Sequence, residues 1–197
     1  MGKIIAYKTT GYSERTSAVI TNYKWTDNGY APAVKIFLSY DDKSLKVHFE
    51  VSERKSEPRY RLDGLPVFKD SAVEVFLKPF NDDVRYLNCE FNSVCAAVLG
   101  FGGKKENRES LIERYKKDLN AAAFCDSDKW SIFFEIPYRV IGEIYGREFL
   151  PHNETVTANF FKCGDETEYP HFGMLFDVIS LYPEFHLPQY FGRLIFE

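Results

Sequence analysis

The sequence predicts an all-β fold: an antiparallel β-sandwich, jelly-roll-like, with one helical insertion, built as one domain over residues 1–197. Three observations point there. Short runs of alternating apolar and polar residues recur along the chain, most of them bounded by Pro, Gly, Asn or Asp, and only one stretch carries helical spacing. Aromatic residues make up 17% of the chain, 18 Phe and 13 Tyr against 2 Trp, and such rings favour strands and fill sandwich cores. A length of 197 residues suits one well-buried core, because sandwiches and barrels of this size commonly form one unit.

The elements follow in order. Val34, Ile36 and Leu38 alternate up to a polar turn at Asp41-Asp42-Lys43-Ser44, and Leu45, Val47, Phe49 and Val51 alternate after it. This pattern, from Ala33 to Ser52, predicts a hairpin with one face buried. The stretch Glu53 to Lys69 carries Pro58, Gly64 and Pro66 among charged residues, which predicts an accessible loop able to present side chains. Val73, Val75 and Leu77 then alternate with Glu74 and Phe76 until Pro79, which cannot donate to a ladder. Beyond Asn81-Asp82-Asp83 comes a strand Tyr86 to Asn92, with Leu87, Cys89 and Phe91 on one face and Asn88, Glu90 and Asn92 on the other. Leu111, Ile112, Tyr115 and Leu119 recur at helical spacing, predicting a helix over Glu106 to Ala123. Strands are predicted again at Trp130 to Ile136, at Val156 to Phe161 and at Arg193 to Phe196.

Charge and cysteine usage exclude several classes. The 25 basic and 29 acidic residues give a net charge of −4 and form no basic block, so nucleic acid is not an expected partner. Cys89, Cys95, Cys125 and Cys163 have no C-x-x-C spacing, which reads as buried thiols rather than a zinc or redox site. No signal peptide and no run of 18 apolar residues is visible, so no membrane partner is expected, and a cytoplasmic location follows unless a leader was removed. No nucleophile elbow, P-loop or H-E-x-x-H occurs, and His48, His152, His171 and His186 are scattered.

The candidates for chemistry are polar residues on strands. Asn88, Glu90 and Asn92 project from one strand face, where amides and a carboxylate can exchange hydrogen bonds with vicinal hydroxyls, or where they are simply solvated. If the two strands pair, Glu74 and Glu90 face the same space. Two facing carboxylates admit glycoside hydrolysis as an alternative, although Glu pairs on neighbouring strands are common. The turns at Asp41-Asp42 and Asp82-Asp83 fit no EF-hand and read as ordinary acidic turns. Trp130 reads as packed core, while Trp25 is undecided.

Four blocks occur in order: Phe68-Lys69-Asp70-Ser71-Ala72-Val73-Glu74-Val75-Phe76, Tyr86-Leu87-Asn88-Cys89-Glu90-Phe91-Asn92, Trp130 through Ile136-Pro137, and Pro183-Glu184-Phe185-His186-Leu187-Pro188-Gln189-Tyr190-Phe191-Gly192. Together these resemble the family-9 carbohydrate-binding modules, particularly the stand-alone branch found in Bacteroides-type bacteria. The resemblance implies a β-sandwich whose loops hold a sugar without cutting it, in the best-known members by its reducing end between two tryptophans. It places the clamp positions at Phe68 and Phe185, a polar sugar contact at Glu74, and the pocket floor along Asn88, Glu90 and Asn92. Tyr60 and Arg61 are the neighbouring loop residues expected to assist. Both clamp positions hold Phe where the xylanase-attached modules have Trp, and Glu90 stands where they have arginine. Weak or selective binding of a mono- or oligosaccharide is therefore the expectation. No cofactor is required; structural calcium is compatible with the family, its ligands unassigned. The remaining alternatives are a glycoside hydrolase using Glu74 and Glu90, and a structural or interaction sandwich whose sugar site has decayed.

Overall fold

The structure, a computed structural model, describes residues 2–54 and 57–197. Its strands are β1 (Lys3–Lys8), β2 (Ala18–Ile20), β3 (Ala33–Tyr40), β4 (Ser44–Ser52), β5 (Ala72–Lys78), β6 (Tyr86–Asn92), β7 (Ala97–Gly102), β8 (Glu109–Ser110), β9 (Ala122–Asp126), β10 (Lys129–Pro137), β11 (Thr157–Cys163), β12 (Phe172–Met174) and β13 (Gly192–Phe196). Two short helices, α1 (Ile112–Tyr115) and α2 (Tyr138–Tyr145), interrupt them.

The strands form one curled path in the order β8-β7-β6-β5-β11-β13-β1-β3-β4-β10-β9, with β12 added to β11 and β2 to β3. Curling folds the path into two facing layers, a sandwich of jelly-roll type. Strand β1 joins them: it runs parallel to both β13 and β3, while the other pairings are antiparallel. The sheet is thus mixed at its seam rather than antiparallel throughout.

Alternation decides what the layers enclose. Val34, Ile36 and Leu38 of β3 and Val47, Phe49 and Val51 of β4 are buried in one cluster with Val73, Val75 and Leu77 of β5 and Leu87, Cys89 and Phe91 of β6. The two layers meet through Phe49 against Phe160, with ring centroids 6.2 Å apart, and Phe91 against Phe134 at 4.6 Å. The predicted hairpin and the Tyr86–Asn92 strand fall where the period-2 pattern puts them.

The predicted helix over Glu106 to Ala123 does not form. Only Ile112–Tyr115 is α-helical, flanked by β8 and followed by β9 at Ala122–Asp126. Leu111, Ile112, Tyr115 and Leu119 are all buried, so the helical spacing reported real burial, but one turn and a following bend suffice to bury those four side chains. The longer helix lies at Tyr138–Tyr145, after Pro137, whose fixed φ is tolerated at a helix start, and before Gly146 in the left-handed conformation at φ 69°. Burial of all four thiols also fails: Cys89 and Cys163 are buried, Cys95 is half-buried, and Cys125 lies exposed on β9.

Candidate functional site

The pocket floor starts from a register. Glu74 of β5 is the direct antiparallel partner of Glu90 of β6, Phe76 that of Asn88, and Ala72 that of Asn92. These side chains occupy the outer face of their layer, away from the main core, yet they are not solvated. Glu74 is 3% exposed, Glu90 5% and Asn92 0%, because loops from distant parts of the chain fold over this face.

Two of those loops bring in the predicted clamp. Phe68 sits in a single 3-10 turn, Val67–Lys69, after Pro66. Asp70 fixes the segment before that turn by accepting from the backbone N–H of Arg59 (3.0 Å) and of Tyr60 (2.9 Å). Asn92 completes the anchor by donating to the Tyr60 carbonyl at 2.7 Å and to Asp70 at 3.1 Å. On the other side, one face of Phe185 rests on Phe161, the rings stacked with centroids 4.1 Å apart and planes 13° apart. Trp25 leans against Phe185 at 6.0 Å and ties its loop down by donating from Nε1 to the Ser180 carbonyl at 3.1 Å. The Tyr86 hydroxyl pairs with His186 Nδ1 at 2.9 Å.

Phe68 and Phe185 are half-buried and line one pocket of about 150 Å³ together with Glu74 and Glu90. A cavity of that order admits one six-membered ring. Cys163, Asp165 and His186 also line it; none was anticipated from the sequence. The Cys163 thiol donates to Glu74 Oε1 at 2.9 Å. Asn88 lies behind rather than in the pocket: its Nδ2 donates to Glu90 Oε1 at 2.6 Å and its Oδ1 accepts from Arg108 Nε at 2.8 Å. Arg108 can lie there because Gly100 has no side chain; a Cβ at Gly100 would stand 2.4 Å from Asn88 Oδ1 and 3.2 Å from Arg108 Nε.

The predicted residues therefore divide. Phe68, Glu74, Glu90 and Phe185 converge, while Asn88 and Asn92 hold the floor and the loop. Tyr60 contacts Glu166 through its hydroxyl at 3.3 Å, and Arg61 pairs with Glu57 at 3.7 Å on a different surface. Neither borders the Phe68–Phe185 pocket. The hydrolase alternative asked for two carboxyls flanking an open cleft, and both carboxyls are buried.

Electrostatics sharpen the floor. Burial, and then the Glu90 charge opposite, push the Glu74 carboxyl well above its ordinary range. Burial lifts Glu90 to about 7 and Asp165 to about 6. Facing carboxyls in a dry site cannot all ionise freely, so near neutral pH the floor holds at least one proton.

Behind the pocket lies a second polar cluster. Lys162 is 0% exposed. Its ammonium contacts Glu53 Oε2 (3.2 Å), Ser71 Oγ (2.9 Å), the Cys163 carbonyl (3.0 Å) and His171 Nε2 (2.6 Å). Since an ammonium only donates, His171 Nε2 accepts, which leaves Nδ1–H to donate to the Tyr169 carbonyl at 2.7 Å. Burial and then the Lys162 charge bring His171 down to about 3, in keeping with that neutral ring.

Among the described residues, no group of three or more His, Cys, Asp or Glu side chains is placed to hold a metal ion. The acidic turns find cations of the protein: Asp82 pairs with Arg147 at 2.5 Å, Asp83 with Arg85 at 2.6 Å, and Asp41 with Lys46 at 3.0 Å. No helix among the described residues is long and apolar enough to cross a membrane.

A jelly-roll-type sandwich with a walled pocket on one outer face defines the class. The model of Carbohydrate-binding family 9 matches residues 12–196, and the chain belongs to that family. Solved structures are similar over nearly the whole chain. A candidate carbohydrate-binding protein from Bacteroides uniformis superposes with a TM-score of 0.82 at 21% identity, covering 99% of each chain. A family-9 carbohydrate-binding module from Caldicellulosiruptor kristjanssonii in complex with cellotriose gives 0.67 at 13% identity, covering 100% of this chain and 94% of that one. The same organism's module in complex with glucose gives 0.65 at 13%, covering 100% and 96%. At these identities the likeness establishes the fold. No curated protein matches the sequence.

Proposed function

We propose that this protein is a non-catalytic carbohydrate-binding module that holds one sugar ring between Phe68 and Phe185 over Glu74 and Glu90. One observation carries the reading: two rings 117 positions apart, Phe68 and Phe185, line the same ring-sized pocket whose floor is polar. The apolar C–H face of a pyranose packs on an aromatic ring, and its hydroxyls need fixed partners below. Membership of the family and the glucose and cellotriose complexes of the C. kristjanssonii modules support mono- and oligosaccharides as the ligand class. The pocket requires no cofactor for this task. A structural calcium ion would draw on backbone carbonyls and water beside single carboxylates, as hard-cation sites do. The sandwich acts as one binding domain over 1–197.

Isothermal titration against a panel of mono- and oligosaccharides tests the proposal. Saturable heat with the wild type, lost in the Phe68→Ala, Phe185→Ala double variant that still melts cooperatively, is the expected result. No heat with any sugar would end it.

A further inference from the structure

The pocket lining is mainly acidic: four carboxyl side chains stand against one lysine, Lys105, whose side chain is largely exposed and is held by Glu184. Glu74, Glu90 and Asp165 line it, and so does Glu184 at the rim, which is engaged by Lys105 at 3.1 Å. The other nearby cations are committed elsewhere. Arg108 has five N–H groups, and all five are used: Nε on Asn88 Oδ1, and the two terminal nitrogens on the carbonyls of Gly102, Lys104, Tyr86 and Gly100. Lys162 is occupied by Glu53, Ser71, His171 and the Cys163 carbonyl. His186 is held neutral, brought down to about 3 by burial and then by the Arg108 charge.

Within this acidic lining one acceptor is vacant. Glu90 Oε1 takes the Asn88 amide, but Glu90 Oε2 is buried without a hydrogen-bond partner. A buried carboxylate oxygen left unpartnered is costly, and a donor carried in by a ligand would satisfy it. A neutral hydroxyl offers one proton and no charge. A protonated amine offers three N–H donors and a positive charge, enough to reach Glu90 Oε2 and Glu74 together and opposite to them in sign. A chelated metal ion fits less well, since the described residues provide no three-ligand cluster. The half-buried rings of Phe68 and Phe185 accept a pyranose face and attract a cation held near them.

We infer that the preferred ligand of this pocket is an amino sugar, a hexosamine unit whose ammonium lodges against Glu90 Oε2 and Glu74 while its ring packs between Phe68 and Phe185. This rests on the sugar-binding reading above and narrows it. Sugar acids and sulfated sugars are excluded by the same carboxyls.

The test is a titration of the purified protein with glucosamine, glucose, N-acetylglucosamine and glucuronic acid at about pH 6.5, where an amine of ordinary pKa carries its proton. Glucosamine is expected to bind about tenfold tighter than glucose or N-acetylglucosamine, the order for a charged hydrogen bond replacing a neutral one, and glucuronic acid is expected not to bind. Repeating the glucosamine titration in buffers of different ionisation heat should show proton release, as the ammonium displaces the proton held by the floor. Glu90→Gln, and separately Glu74→Gln, should erase the preference for glucosamine; two variants guard against one failing to fold. Equal or tighter binding of glucose overturns the amino-sugar inference and leaves sugar binding standing. Absence of heat with all four sugars overturns both.

Discussion

The buried ammonium of Lys162 supports the sharpest stability prediction. Burial alone would push the Glu53 carboxyl up; the Lys162 charge, together with hydrogen bonds from Ser71 and Trp130, holds it below its ordinary value instead. In Lys162→Met the side-chain volume is nearly kept and the cation is lost, so Glu53, with a 5% exposed side chain, is stranded as a buried anion. Breaking such a pair from one side costs about 3–5 kcal/mol. For a chain of this length each kcal/mol moves Tm by about 2–4 °C, so a fall of about 6–20 °C at pH 7 is expected by calorimetry. Adding Glu53→Gln should recover much of the loss, since the desolvated charge then disappears. The pH dependence should also invert. In the wild type a depressed carboxyl contributes stability above its ordinary pKa of 4.5, and that contribution fades as pH falls through the lower folded value; in Lys162→Met, Glu53 is expected to be raised, so acidification should narrow the gap. A Lys162→Met protein within about 1 kcal/mol of wild type at pH 7 would show that Glu53 finds another partner or water, and that the pair does not work as described.

Three further outcomes are expected. Phe185→Ala should weaken sugar binding by about three- to tenfold, on the order of one ring contact at 0.5–1.5 kcal/mol, and Phe68→Ala similarly, read by titration; unchanged affinity in both would remove the clamp. Glu90 is raised from its ordinary 4.5 to about 7, so its folded state binds the extra proton between those values and wild-type stability falls across that window as pH rises. Glu90→Gln lacks this loss, and thermal melts should show the variant gaining on wild type from pH 4.5 to 8 by up to about 3 kcal/mol; a difference that is flat with pH contradicts the buried acid. Gly100→Ala places a methyl 2.4 Å from Asn88 Oδ1 and should destabilise by about 1–3 kcal/mol as Asn88 and Arg108 are displaced, measurable by urea denaturation.

How much of this was legible follows from what each signal reports. Period-2 alternation reports which side chains are buried, and it placed Ala33–Tyr40, Ser44–Ser52 and Tyr86–Asn92 because these strands have one apolar face toward a large core. Helical spacing also reports burial, and it misled between Leu111 and Leu119, where the four buried residues are served by one turn and a bend. Strand β7 was missed because Gly100 and Gly102 dilute strand propensity, yet Gly100 is needed there so that Asn88 and Arg108 can approach. The convergence of Phe68 and Phe185 came from resemblance alone, since no local pattern links positions that far apart. The roles of Cys163, Asp165 and Lys162 were out of reach for the same reason: each depends on residues distant in the chain.

Parity along β11 explains why a charged core and a sugar-sized pocket can sit back to back. Lys162 pairs in register with Val73 and Cys163 with Ala72, so consecutive side chains leave the strand on opposite faces. Lys162 goes behind, into the Glu53–Ser71–His171 cluster, while Cys163 goes forward to Glu74 at the pocket floor. The buried cation therefore lies one residue behind the buried acids, and its attraction opposes the rise of the Glu74 carboxyl without neutralising it, because Glu53 already holds the ammonium. Had Lys162 pointed forward, its ammonium would offset one of the acids that line the pocket. With the lysine turned away, the front face keeps its acids, and the cation that lines the pocket with them is Lys105, already engaged by Glu184.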